Sequence, residues 1–157
     1  MPHGEILMKL SRTSTYALYA LGYLAGSNPS GYTPVSLISQ EFGLPPTHLA
    51  KIFQRLVRAG ILSSSRGVSG GFALRKAPQD LSLLDVIEAV DGSVQDEVCL
   101  LENGCDDDSP CPLHAVWRKG QQALIDELRG KTVAELGEEL VMHARRRQRA
   151  RRRQALA

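Results

Sequence analysis

The chain has 157 residues, 43% of them hydrophobic but only 5% aromatic, and a formal net charge of +2. That length supports one domain of ordinary size with a real core. No stretch approaches the roughly twenty apolar residues of a membrane span, and Met1–Leu10 (MPHGEILMKL) lacks the apolar run of a secretory signal. A cytoplasmic protein whose thiols stay reduced is expected. The small net charge hides an asymmetry. Residues 9–76 carry eight basic residues against one acid, Glu41, whereas residues 145–153 (RRRQRARRR) hold seven arginines. The other acids are concentrated after residue 79. A cationic N-terminal half calls for a polyanionic partner.

In chain order, residues 13–25 place Ala17, Ala20, Leu21 and Leu24 at helical spacing. Gly26, Asn28, Pro29 and Gly31 end that helix. Thr33-Pro34 predicts a second helix, with a hydroxyl N-cap and proline at the first helical position. Val35, Ile38 and Phe42 share one side of it, and Gly43 closes it. A third helix is predicted over Thr47–Ala59. Its apolar positions Leu49, Ile52, Phe53 and Leu56 follow the i, i+3, i+4, i+7 pattern, and its other side carries Thr47, His48, Lys51, Gln54, Arg55 and Arg58. Two short helices joined by a Gly-containing turn form a helix-turn-helix. Lys, Arg and Gln are the residue types that bind phosphates and read base edges in a major groove. A solvated helix face is the bland alternative, and the shortage of acids in this half weighs against it.

Two β-prone runs follow, Ile61–Ser64 and Gly71–Leu74, flanking Arg66-Gly67-Val68-Ser69-Gly70. Glycines at the tip suit a hairpin turn, and Arg66 on so slim a hairpin suits the narrow minor groove. A helix-turn-helix followed by a hairpin is a winged helix. Ser82 then caps a helix through Val90, with Asp85 in the capping-box position. A long helix is predicted over Leu113–Leu128, with Val116, Trp117, Ala123, Leu124 and Leu128 as apolar positions. Thr132 and Glu135 form a second capping box opening Val133–Met142. The long helix is the candidate dimer seam, with packing across its own domain as the alternative. The fold class expected is mainly α with a small β-hairpin. The organisation expected is 8–92 as the winged-helix DNA-binding domain, 93–112 as a cluster-binding loop, 113–143 as dimerisation helices and 144–157 as a disordered Arg-rich tail.

All three cysteines of the chain lie in one short stretch, spaced Cys99-x5-Cys105-x5-Cys111-x2-His114. Three thiolates and an imidazole within sixteen residues can meet at one point with little loop-closure cost. Thiolate-rich ligation selects iron–sulfur clusters, zinc or copper(I). Zinc sites usually pair ligands two to four residues apart, so five-residue gaps fit them poorly. A disulfide framework is disfavoured by the odd count. Reactive thiols without a metal are the remaining alternative.

With these elements in place, the chain resembles the IscR-like iron–sulfur cluster regulators of the bacterial Rrf-type winged-helix family. The likeness rests on several stretches: Met8-Lys9-Leu10-Ser11, Tyr16-Ala17, Leu49 to Leu56, the wing Arg66 to Phe72, Asp85 to Val90, and the run Cys99-x5-Cys105-x5-Cys111-Pro-Leu-His114-Ala-Val-Trp117. The resemblance implies cluster ligation by Cys99, Cys105 and Cys111, with His114 as fourth ligand of a [2Fe–2S] centre. A [4Fe–4S] branch uses an aspartate at the position of Thr15 here, a poor ligand, so [2Fe–2S] is favoured. Asp106, Asp107 and Asp108 remain possible ligands. The expected function is a homodimeric DNA-binding transcriptional regulator, a repressor, gated by the cluster and reading a palindromic operator in double-stranded DNA. No small-molecule substrate, membrane or enzymatic role is expected. Competing classes are a metal-free cysteine redox sensor on the same scaffold and an iron–sulfur electron-transfer protein.

Overall fold

The computed structural model describes residues 10–27, 31–67, 70–94 and 112–143. Cys99, Cys105, Cys111, Asp106, Asp107, Asp108, the wing-tip residues Val68 and Ser69, Met8, Lys9 and the Arg-rich tail lie outside them. Among the described residues the fold is six α-helices and one two-stranded antiparallel hairpin, the winged-helix class expected.

Helix α1 (Arg12–Ser27) starts at Ser11, whose Oγ accepts the Ser14 N–H at 2.9 Å. A hydroxyl here satisfies one of the orphan donors of the first turn. The stripe Ala17, Ala20, Leu21 and Leu24 is completely buried, as the spacing predicts. Helix α2 (Val35–Phe42) differs from expectation at its start. Pro34, not Thr33, is the N-cap, and no side chain caps it. A residue before proline is pushed towards extended backbone. Thr33 uses that conformation to pair with Phe72, exchanging two N–H to carbonyl bonds of 2.9 Å. The Thr-Pro pair therefore stitches α2 to the hairpin instead of capping a helix.

Helix α3 (Pro46–Arg58) begins one residue before the predicted Thr47, because proline tolerates a first turn whose N–H groups have no helical partner. Leu49, Ile52, Phe53 and Leu56 are buried, with Leu49, Phe53 and Leu56 fully so. Strands β1 (Leu62–Ser65) and β2 (Gly71–Leu74) pair in the register Leu62↔Leu74 through Ser65↔Gly71. The first strand starts after Ile61 because the Ile61 amide donates to Leu56 at the end of α3. Gly71 has φ +150°, and a Cβ there would stand 2.3 Å from the Thr33 carbonyl oxygen. Only glycine lets the bridge to Thr33 form. The Phe53 and Phe72 rings meet edge to face at 4.7 Å and fix the hairpin to α3.

Helix α4 (Leu83–Asp91) has the predicted capping box, with Ser82 and Asp85 exchanging bonds of 3.0 Å. Helix α5 (Pro112–Gly130) buries only His114 and Ile125. Helix α6 (residues 133–143) opens on the predicted Thr132–Glu135 box, where the Thr132 N–H donates to the Glu135 carboxylate at 2.8 Å. That bond, helped by the Lys131 and Thr132 side chains, lowers the Glu135 pKa below its usual value. Ser82 and Thr132 form a bridge that starts α4 and α6 side by side. α6 then crosses α1 at close range: a Cβ on Gly137 would lie 2.8 Å from the Gly22 carbonyl oxygen. Leu81, Val86 and Val133 join Leu21, Leu24, Ile38 and Phe53 in one core. Each such side chain contributes about 1.5–3 kcal/mol on burial.

Candidate nucleic-acid interface

The apolar face of α3 is consumed by the core, which turns its opposite face to solvent. Thr47, Lys51, Gln54, Arg55 and Arg58 are exposed there at i, i+4, i+7, i+8 and i+11, a single stripe. No acid stands in the first turn of α3. His48 is only half-exposed, because its ring sits edge-on to Tyr16 of α1 at 5.5 Å. Arg55 is engaged within the fold: its Nη1 donates to the Val90 carbonyl of α4 at 2.8 Å. Arg66 is exposed immediately after β1, and a turn bond from the Gly70 N–H to the Gly67 carbonyl at 3.0 Å closes the hairpin end. The Phe53–Phe72 contact fixes the hairpin that carries Arg66 to the helix that carries the cationic stripe. Such an arrangement can neutralise phosphates with little ordering cost and place side chains against base edges.

Of the predicted ligands, His114 is the one described. It lies in the first turn of α5, 9% exposed, three residues after Cys111. One turn further on, the Trp117 Nε1–H is buried with no hydrogen-bond partner among the described residues. The Gln121 side chain of the same helix donates to the Val94 carbonyl at 3.3 Å, where the chain leaves towards Cys99. Sequence reasoning missed two bonds that tie the α1 start to the α4 end: the Ser11 and Ser14 hydroxyls both donate to Asp91, the latter at 2.5 Å. No local signal connects residues so far apart in sequence. Among the described residues no helix is long and apolar enough to cross a membrane.

A helix-turn-helix with a cationic second helix, braced by a hairpin stitched back to Thr33, defines a winged-helix DNA-binding protein. The family model described as Rrf2, iron-dependent transcriptional regulator, matches residues 10–139. The HTH-type transcriptional regulator IscR of Klebsiella pneumoniae (strain 342) is 34% identical over 129 residues, covering 82% of this chain and 79% of its own. Among solved structures, T. potens IscR superposes with a TM-score of 0.69 at 24% identity, covering 85% of this chain and 88% of its own. The oxidized form of Staphylococcus aureus CymR does so with a TM-score of 0.68 at 26% identity, covering 83% and 97%. The chain belongs to the Rrf2 family and is an IscR-like, DNA-binding transcriptional regulator, not an enzyme.

Proposed function

We propose that this regulator binds a palindromic operator as a homodimer, and that an iron–sulfur cluster held by Cys99, Cys105, Cys111 and His114 gates the binding. The observation that carries the reading is His114, buried in the first turn of α5 and three residues past the last thiol of the only cysteine group in the chain. The donor set of three thiolates and one imidazole fits a [2Fe–2S] centre. The buried Trp117 N–H is a donor in need of an acceptor, and a thiolate-rich group would supply one. Seventeen residues, 95–111, join Val94 to Pro112. The Gln121 bond puts Val94 about 14 Å along α5 from Pro112, at 1.5 Å per residue. The connection has length to spare for closing round a cluster.

When bound, the cluster supplies a one-electron redox centre whose loss removes four ligand restraints at once. His114 contributes a protonatable, neutral ligand, which makes the site less anionic and easier to lose than a four-thiolate one. Lys51, Gln54 and Arg58 of each protomer enter the major groove, with Thr47 and His48 at the start of the helix, while Arg66 enters the minor groove. Dimers of this kind place two recognition helices about 34–36 Å apart, one turn of DNA. The α5 face that includes Leu113 (38% exposed), Val116 (67%) and Leu124 (40%) supports a second copy as its partner.

The test is anaerobic purification, with absorption spectra and assays of iron and acid-labile sulfide. Wild type should be coloured. Cys99→Ala, Cys105→Ala and Cys111→Ala should each be colourless yet folded, and His114→Cys should keep a cluster of lower potential. A protein that takes up no iron or sulfide on reconstitution contradicts the reading. A thiol sensor without metal is the second reading, favoured by the structural likeness to CymR crystallised in an oxidized form. Under it, the colourless protein would still lose or gain DNA affinity on oxidation of its cysteines.

A further inference from the structure

The last turn of a helix leaves carbonyl groups without intrahelical partners. At the end of α4, some of these groups and their neighbours are taken up by other elements and some close back on α4 itself. The Val90 carbonyl accepts the Arg55 guanidinium of α3 at 2.8 Å. The Asp91 carboxylate accepts the Ser11 and Ser14 hydroxyls at the start of α1. The Gly92 N–H closes back on the Glu88 carbonyl at 3.0 Å. The Val94 N–H reaches the Glu88 carboxylate at 3.4 Å, while its carbonyl accepts Gln121 of α5. Three of the five residues 90–94 are thus fastened to other elements, Val90 to α3, Asp91 to the start of α1 and Val94 to α5, just before the chain enters the segment with Cys99.

Arg55 holds a special place in this junction. It stands in the last turn of α3, on the same exposed stripe as Lys51 and Arg58. Its guanidinium is planar, with five donors in a fixed fork, so it can hold a carbonyl with one arm and leave others facing outward. A cation at this spot also complements the negative end of the α4 dipole. Among the described residues it is the one member of the cationic stripe bonded to the helix that leads into the cysteines.

We propose that Arg55 is a positioning residue that couples the recognition helix to the cysteine-bearing segment, through its bond to the Val90 carbonyl at the end of α4. A shift of α4 on the cysteine side is handed to α3 through this bond, and DNA seated on α3 tightens the end of α4. Coupling of this kind is reciprocal by thermodynamic necessity. The inference rests on α3 as the DNA-facing helix, and its regulatory consequence rests on the proposed cluster.

The experiment uses the full chain, wild type and the variants Arg55→Met and Arg55→Lys, with a duplex selected by the wild-type protein from a random pool. Amide hydrogen exchange is read residue by residue by NMR on the metal-free protein, with and without duplex. Wild type should show slower exchange at Gly92 and Val94 on binding duplex. Arg55→Met should bind with protection confined to α3, and Arg55→Lys, which keeps a donor and the charge, should recover part of the effect at Gly92 and Val94. In parallel, the ratio of duplex affinities between cluster-loaded and metal-free protein should fall towards 1 in Arg55→Met at unchanged iron content. Duplex-induced protection of Gly92 and Val94 that survives in Arg55→Met overturns the proposal. So does an equal loss of affinity in both states with the ratio retained, the signature of a plain phosphate contact. If wild type binds no iron or sulfide, the cluster reading fails by itself, and the exchange comparison still decides the role of Arg55.

Discussion

Helix α4 packs on α1 and α3 and also on α5, and the parts it joins are unlike. Towards α1, α2, α3 and the hairpin lies a packed core in which Leu21, Leu24, Ile38, Phe53 and Leu56 have no exposed surface. Towards the cysteine side lies α5, nineteen residues long, which buries only His114 and Ile125. The first half holds its shape by apolar burial, so the α3 stripe proposed to face DNA is preset by the fold. The second half has little apolar burial of its own among the described residues, so its arrangement is open to ligation chemistry and to a partner surface. A regulator needs both: a rigid reader, and a part whose state depends on something outside the chain.

The sharpest way to separate the halves is a pair of substitutions. Phe53→Ala removes a fully buried ring that holds the hairpin through Phe72, and should cost about 3–5 kcal/mol in chemical denaturation. Cys105→Ala should change the stability of the metal-free protein by no more than about 0.5 kcal/mol. Equal losses in the two variants would mean that the cysteine segment belongs to the core, and the comparison would fail.

Within the reading surface, Lys51→Ala and Arg66→Ala should each weaken operator binding, Lys51 by about 1–3 kcal/mol if it makes a good base-edge contact. Their melting temperatures should stay close to wild type, since both side chains are exposed. Binding titrations that find neither variant impaired would move the DNA surface off α3 and the wing. Deleting residues 145–157 should flatten the salt dependence of binding and leave the preferred operator unchanged, because seven arginines in nine residues offer charge for counterion release and little to read a base edge. An unchanged slope would show that the tail stays clear of DNA.

The smallest effect is expected at α6. Glu135 has a lowered pKa because it accepts the Thr132 N–H. Its charged form is bound more favourably in the folded state, so its contribution is present above the unfolded carboxylate pKa. It is lost as pH falls through the lower folded value. Wild type should be more stable than Glu135→Gln at neutral pH, and the gap should close on acidification. A gap that widens in acid would contradict the capping role.

Much of the packed half was legible in sequence because burial imposes a period. The stripe from Ala17 to Leu24 and the pattern Leu49, Ile52, Phe53, Leu56 mark core faces directly, and the Ser82 and Thr132 boxes mark helix starts. What was not legible depended on partners distant in the chain. Thr33-Pro34 carries a local cap signal, yet the extended backbone that proline imposes on Thr33 is used to pair with Phe72. Arg55 looks like any other cation of the stripe until the end of α4 is placed beside it. The Asp91 bonds to Ser11 and Ser14 likewise follow from the packing of α1 on α4, which no short window reveals. For the cysteines the situation is reversed. Their spacing speaks in sequence, while of the proposed ligand set only His114 is among the described residues.

The central claim is that the state of the Cys99–His114 segment sets how well α3 and the wing hold DNA. Its most direct test is an anaerobic titration of a selected operator duplex with one protein preparation, before and after removal of iron by a chelator, at fixed salt and protein concentration. The account predicts that loading changes operator affinity by roughly 5–150-fold, the usual range of coupling between two sites, and that Cys105→Ala abolishes the difference. Identical affinities for the loaded and iron-free forms of wild type would contradict it.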